Sequence, residues 1–571
     1  MLFSTAHRKA CALKQQERQQ RIDDLPSVYQ TALTDADKVI LNQPVKALVE
    51  AVQSKGLSPK PGVVAVEPLD ILRAYGKKAL LVHNDTNCLT EVMIGVAEKW
   101  AKTCNRQGPL AGVPISLKDT VGIEGWDYCV GYSARIGKPA PKDSSIVRLL
   151  RDAGAVPFVK TNLPITLLSF ESASDIFGTT NSPYKATHTP GGSSGGEAAL
   201  LALGGSRIGI GSDGLGSLRV PAHYSGVYSI RPSFGRFPIV GNAAATPGQE
   251  GVPGVFGPLA RTLEDLETVW KAIQSMKPWE YDHTCVPIPW RTTDLSQQKL
   301  RWGVMWDDGI VAPSPACERA LGMVVDILKT HGHDVVDAHP PSPLEGLSIG
   351  SQLVLADGGA TASRPMRLSE TNTPGMVQAF RGLSLPRFVK KIWIWWLRYI
   401  KRDNTYATLL EGWHAKTMPV YLSLVAKREQ YRARWHQFLN DEKLDFVLCV
   451  PNPLPAQRHG QIKEGWKSCN YTFLFNLLDY SAGVVPVTHV DRMKDTFHEK
   501  SADYPILGSH KPRNAIERSQ EKAYDAVDMH GLPVGVQIVG RKFEEEKVLE
   551  GMKVIERLLR VEGKGFVGIP V

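Results

Sequence analysis

The chain has 571 residues, 43% hydrophobic and 22% charged, with a net charge of +9. That length allows several domains or one large continuous α/β core, and the composition is that of an ordinary globular protein. The positive excess sits in two local runs, HRKACALKQQERQQR near the N-terminus and PRFVKKIWIWWLRYIKR at 386–402; a nucleic-acid surface needs a broader basic face, so no nucleic-acid partner is expected.

Eight cysteines are scattered without a CxxC pair, which fits reduced thiols better than a disulfide framework or a zinc site. The first residues carry no apolar leader segment, and no apolar run approaches the ~20 residues a spanning helix needs. A cytoplasmic protein is the expectation.

Residues 1–60 read as a polar helical arm laid on the surface, and 61–571 as one large domain. Helical patterns recur in PVKALVEAVQSKG and CLTEVMIGVAEKWAKTC. LAGVPISLKD alternates, with Val113, Ile115 and Leu117 on one face and Pro114, Ser116 and Lys118 on the other. SSIVRLLRDAG reads as a helix stopped by glycine, AVPFVKTN as a buried strand, GGEAALLALGG as a helix and SRIGIGSD as a strand. GLPVGVQIVG and KFEEEKVLEGMKVIERLL give a late strand and a closing amphipathic helix. This alternation predicts a sheet covered by helices.

Four motifs compete for the chemistry. GIGSDG (Gly209, Gly211, Gly214) satisfies GxGxxG, but Pro221 follows soon after and no long helix opens there. GSSGG (Gly192 to Gly196) satisfies the hydrolase pattern GxSxG with Ser194 central, yet a turn ending in Pro190 stands where a strand should lead in; Ser194 is well placed as a helix cap instead. HGHDVVDAH gathers His331, His333, Asp334 and His339 on no common face, so no metal is expected. The fourth reading joins three distant points: Lys118 at a strand end, the serines of GGSSGG, and Ser217 in SDGLGSLRVPA. Taken singly, Lys118 reads as a lysine paired with Asp119 and reaching water, and Ser217 as a turn residue.

Together these segments resemble the amidase signature family, and within it most closely the fungal acetamidases and fatty-acid-amide hydrolases. The resemblance covers roughly residues 60–565 and rests on GPLAGVPISLKDT, GAVPFVKTNLP, PGGSSGGEAALLALGGSRIGIGSDGLGSLRVPA, LLDYSAGVVPVT and GLPVGVQIVGR. The spacing matches too, with Lys118 lying 75 residues before Ser193 and Ser193 lying 24 before Ser217. It implies an α/β fold: a single large domain with a mixed central sheet covered by helices on both faces, plus the N-terminal helical arm.

By this resemblance Ser217 is the acylating nucleophile, Ser193 the bridging serine and Lys118 the base, with no cofactor. Serine attacks only if its proton is removed, and lysine removes it only when neutral, which burial favours. The amides of Gly214, Leu215, Gly216 and Ser217 are candidates to hold the oxyanion. Asp213 and Arg219 read as a structural ion pair that fixes the loop, with Ser194 beside them in support. Family members commonly carry two glycines before the nucleophile, where this chain has Leu215 and Gly216. That Cβ narrows the acyl pocket or strains a donor amide, so a weakly active or inactive amidase-like binding protein stays open as a second class.

The substrate is expected to be a small or apolar amide; Leu167 and Leu168 in LPITLLSF stand where the resemblance places pocket-lining residues. On a helical wheel of 387–402, Phe388, Trp393, Trp395, Trp396, Tyr399 and Ile400 share one arc. The six basic residues share the opposite arc, and Ile394 alone intrudes there. The segment (385–402 as a unit) reads either as a helix with its tryptophans packed on the domain or as a peripheral membrane contact. A homodimer is left open.

Overall fold

The protein is described by a computed structural model covering residues 2–54, 66–463, 467–497 and 512–571. The expected boundary at 60/61 lies outside these described residues.

The N-terminal part runs through α1 (Leu2–Asp23), α2 (Asp35–Asn42), α3 (Val45–Gln53) and α4 (Pro68–Thr86). The first half of the sheet and its helices follow as β1 (Leu89–Val92), α5 (Ile94–Thr103), β2 (Pro114–Lys118), α6 (Ser145–Asp152) and β3 (Val156–Thr161). A small hairpin comes next, β4 (Ala173–Ser174) and β5 (Gly178–Thr179). Then come α7 (Gly195–Ala202), β6 (Ile208–Asp213), α8 (Arg219–Ser225), β7 (Tyr228–Arg231), β8 (Val255–Ala260), α9 (Leu263–Ser275) and α10 (Pro278–Tyr281). The second half opens with β9 (Arg301–Val304), α11 (Pro315–Thr330) and β10 (Asp334–Asp337). A helical insertion follows: α12 (Pro343–Val354), α13 (Ala360–Ser363), α14 (Pro374–Ser384), α15 (Arg387–Trp395), α16 (Asn404–Gly412) and α17 (Met418–Asp441). The chain closes with β11 (Phe446–Cys449), α18 (Asn470–Leu478), β12 (Ala482–His489), α19 (Ala515–Ala523), β13 (Pro533–Val539) and α20 (Glu545–Val561).

Eleven strands form one mixed sheet in the order β1-β3-β2-β6-β8-β7-β12-β13-β11-β9-β10. β2 runs parallel to both β3 and β6, whereas β6 and β8 are antiparallel. Apolar, β-branched runs such as VPFVKT and PVGVQIV are buried at every position, as strands with both faces covered must be. β2 behaves likewise: the two-faced alternation expected for 113–118 gives way to burial of all five strand residues.

Two further expectations are corrected. The stretch CLTEVMIGVAEKWAKTC is not one helix, because Leu89–Val92 pairs antiparallel with β3 at the sheet edge and helical geometry begins only at Ile94. Thr90 and Val92 are β-branched, and edge pairing outweighs the helical period there. The arm is more than a surface layer. Lys14 is 1% exposed, and its Nζ reaches Glu91 at 2.5 Å and Asp127 at 2.9 Å, so α1 inserts a cation among buried carboxylates of the domain.

Among the described residues no helix is long and apolar enough to cross a membrane. The cysteines are all free, and seven of the eight are buried.

Candidate active site

β2 and β6 are parallel neighbours in register Ser116 to Gly209 and Leu117 to Ile210, so their carboxyl ends open on the same side of the sheet. Lys118 ends β2, and β6 ends at Asp213 and runs directly into the loop carrying Ser217. A third segment, the turn ahead of α7, brings in Ser193. Lys118 Nζ lies 2.7 Å from Ser193 Oγ, 2.9 Å from Ser212 Oγ and 3.5 Å from the Ser212 carbonyl.

Lys118 has no exposed surface, and among the described residues no carboxylate bonds to its amine. Burial pulls it from 10.5 down to about 7, against the opposing pull of Asp213 and Glu197. The pairing with Asp119 is not formed: Asp119 sits 3.1 Å from Lys160 instead. Ser212 was missed in the sequence; its signal is its place beside the lysine, one residue before the end of the neighbouring parallel strand.

The serine turns are held by close approach. The Gly192–Ser193 peptide is cis, and a Cβ at Gly192 would strike the Ser169 carbonyl. The Ser194 N–H donates to the Ser217 carbonyl at 3.2 Å, which stitches the two serine segments together. The Ser194 side chain does not cap α7; its hydroxyl donates to the Ser212 carbonyl at 3.3 Å. Ser217 is 4% exposed, and its hydroxyl bonds to no described residue, Ser193 included.

Asp213 and Arg219 form the expected ion pair, with two contacts of 3.0 Å. Arg219 also reaches the Thr472 carbonyl, Gln537 and Asn476, and Asp213 accepts from Asn476 and from the amides of Gly216 and Leu218. The guanidinium beside it holds the Asp213 carboxyl well below the usual range. This engagement removes the Gly216 N–H from the oxyanion candidates, since it points at Asp213 Oδ1 at 2.8 Å. The amides of Gly214, Leu215 and Ser217 donate to no described residue. Gly216 has φ +121, and a Cβ there would strike Thr472, so this glycine is required. Leu215 is not among the residues with positive φ.

Leu215 instead forms cavity wall. It joins Leu168, Leu347, Met376, Cys469 and Phe473 around ≈ 510 Å³ of atom-free space, part of it open to solvent. Leu167 does not line this cavity; its neighbour Leu168 does. Leu167 packs with Val130, Tyr132, Ile165 and Ala245, in a short helical turn where Thr166 and Leu167 both adopt positive φ.

α14, which supplies Met376 to the cavity, leads into the amphipathic segment. α15 continues into a π-helical turn, Trp396–Ile400. Phe388, Ile392, Trp395, Trp396, Tyr399 and Ile400 are exposed, between 40% and 68%. The expected arc is corrected at two points. Trp393 turns inward, edge-on to Tyr406, and Lys390 is buried with its amine 2.7 Å from the Trp413 carbonyl. The buried face therefore lies between the two arcs and leaves the outer aromatic stripe largely exposed.

The other motifs dissolve into structure. Gly209 and Gly211 are β6 residues, His331 pairs with Glu562, and His333 accepts the Leu300 N–H. Among the described residues no three potential metal ligands gather.

Comparison with known proteins identifies the family. The family model described as Amidase matches residues 70–549. The chain is 31% identical over 511 residues to an acetamidase of Aspergillus oryzae, covering 86% of this chain and 87% of that protein. It is also 31% identical over 583 residues to fatty acid amide hydrolase 1 of Caenorhabditis elegans, covering 98% and 97%. A solved fatty acid amide hydrolase superposes with a TM-score of 0.82 at 27% identity, covering 97% of this chain and 96% of that one. The chain belongs to the amidase family.

Proposed function

We propose that this protein hydrolyses carboxylic amides through an acyl-enzyme on Ser217, with Ser193 as proton relay and Lys118 as base. The observation that carries the reading is Lys118 Nζ at 2.7 Å from Ser193 Oγ, inside the fold and without a carboxylate partner. An amine brought down to about 7 by burial is neutral in part near neutral pH, which a base must be.

The steps balance as follows. Ser217 Oγ bonds to the amide carbon while its proton passes to Ser193, and the Ser193 proton passes to Lys118. The carbonyl oxygen takes the negative charge and is held by free loop amides, with Leu215 and Ser217 the nearest donors in sequence. The ammonium of Lys118 then returns a proton through Ser193 to the leaving nitrogen, the C–N bond breaks, and ammonia or amine departs. Water, deprotonated by the same relay, releases the acid and restores Ser217.

Leu168 and Leu215 in the cavity wall support an apolar acyl group over a charged one. The exposed stripe of α15 supports interfacial docking. Six apolar side chains face outward with Lys391, Lys401 and Arg402 nearby, the composition of a segment that lies in a membrane interface. A cytoplasmic protein that visits anionic membranes to collect an apolar amide fits both features.

The test is a fluorophosphonate probe followed by a panel of amides graded in acyl length. The expected result is labelling of Ser217, lost in Ser217→Ala, with kcat/KM rising from acetyl to longer apolar acyl groups. A wild-type protein that neither labels nor turns over any amide, while Leu215→Gly does, would replace this reading with that of an inactive binding protein.

A further inference from the structure

The turn that carries Ser193 continues into α7, whose third residue, Glu197, has no exposed surface. A single carboxyl in the otherwise apolar GGEAALLA faces the sheet directly behind the base. Its Oε2 lies 2.5 Å from Ser116 Oγ and its Oε1 lies 2.7 Å from Thr161 Oγ1. β6 makes room for it, since a Cβ at Gly209 would collide with Oε2.

Among the described residues no cation bonds to this carboxyl. The titratable groups that face it are Lys118 from β2 and the Cys88 thiol from the turn before β1. Lys118 directs its amine to Ser193 and Ser212, and burial pushes the Cys88 thiol up to about 12, so it stays protonated. Asp213, at the end of β6, acts on Lys118 but is paired with Arg219.

The placement of protons decides the state of Glu197. Ser116 Oγ also lies 3.2 Å from the Ile208 carbonyl, so one hydroxyl proton faces two acceptors. With an ionised carboxylate, Ser116 must abandon Ile208, and a wholly buried anion is left with two hydroxyl donors and no cation, which is costly. With a carboxylic acid every proton has an acceptor: Oε2–H donates to Ser116, Ser116 to the Ile208 carbonyl, and Thr161 to Oε1.

We propose that Glu197 is a positioning residue that works as a neutral carboxylic acid, tying β2 and β3 to the first turn of α7 without setting an anion beside the base. The proposal rests on the Ser-Ser-Lys reading above. Ser116 stands two residues before Lys118 on the same side of the strand, and Glu197 stands four after Ser193. The clamp thus fixes the two partners of the 2.7 Å contact relative to one another. An ionised Glu197 would favour the ammonium form of Lys118 and withdraw the base. Burial raises the Glu197 carboxyl from 4.5 to about 8, in the same direction as the proton count.

The experiment compares wild type with Glu197→Gln, whose amide reproduces the donor and acceptor of the acid. At pH 7 the infrared spectrum of wild type should show the carbonyl stretch of a protonated carboxylic acid that Glu197→Gln lacks. Between pH 5 and pH 8 the unfolding temperature of wild type should fall steadily relative to the variant. The sign follows because the folded state holds a proton that the unfolded chain releases above its ordinary value of ~4.3. The acid limb of kcat/KM should keep its midpoint. The proposal is overturned by absence of the band in wild type, by an unfolding difference that is flat over that range, or by a limb moved about 1 unit or more to lower pH in the variant. A wild type without any such band overturns the proposal even if the variant does not fold. The spectral and unfolding measurements also need no turnover, so they stand apart from the acyl-enzyme reading, which fails if Ser217→Ala keeps its amidase activity.

Discussion

The two sides of the Ser217 loop hold their charges in opposite ways. On one side Asp213 and Arg219 form a buried ion pair that is saturated with partners from α18 and β13. On the other side Lys118 and Glu197 are equally buried, stand near one another, and do not pair. A satisfied buried ion pair fixes geometry. A buried amine without a counter-ion gives up its proton. The proposed mechanism draws on both, a rigid frame behind Ser217 and a reactive base in front of it.

The comparison breaks most visibly at the reactive side. Ser217→Ala or Lys118→Ala should lower kcat by on the order of 10³-fold or more, and the double variant should lose little beyond either alone, because residues that act as a unit are not additive. Steady-state kinetics on the best amide checks this; a double variant that multiplies the two losses contradicts a shared relay.

Next is the structural side. Arg219→Ala leaves Asp213 as an uncompensated buried charge and should cost about 3–5 kcal/mol in urea unfolding. Lys118→Met should do the reverse. Because the folded-state pKa of Lys118 is depressed from 10.5 to about 7, wild type loses stability as pH falls through that window. The advantage of Lys118→Met should therefore grow from pH 10 toward pH 7 and level off below. Thermal unfolding across that range reads the difference, and a constant gap would mean the amine is not desolvated.

Smaller effects sharpen the boundary of the site. Leu215→Ala enlarges the cavity wall two residues from the nucleophile. It should shift preference toward bulkier acyl groups by about 10-fold in relative kcat/KM, the scale of a few methylenes in an apolar pocket. Trp395→Glu with Trp396→Glu should reduce cosedimentation with anionic vesicles while turnover of a short soluble amide is unchanged. Binding that survives both substitutions removes the membrane role of α15.

Much of this arrangement is legible in the sequence because it depends on local signals. The strand ends at Lys118 and Asp213, the glycine bed around Ser193, and the Asp213–Arg219 spacing each fall within a few residues. What is not legible depends on long-range register. Ser212 meets Lys118 only because β2 and β6 are parallel neighbours, and Glu197 meets Ser116 and Thr161 only once three elements converge. The resemblance points to both Leu167 and Leu168 as pocket residues; Leu168 lines the cavity, whereas Leu167, at positive φ, packs with Val130, Tyr132, Ile165 and Ala245. The wheel for 387–402 assumed one ideal helix facing one surface. The π-helical turn and the burial of Lys390 and Trp393 rotate the buried face away from both arcs.

The central claim, a neutral buried lysine drawing a proton from Ser217 through Ser193, is tested most directly by the rate of fluorophosphonate labelling of Ser217 as a function of pH. The rate in wild type should rise with a midpoint near pH 7, and in Lys118→Ala it should be slower by on the order of 10³-fold. A Lys118→Ala protein that labels at the wild-type rate, with the same midpoint, would contradict the account.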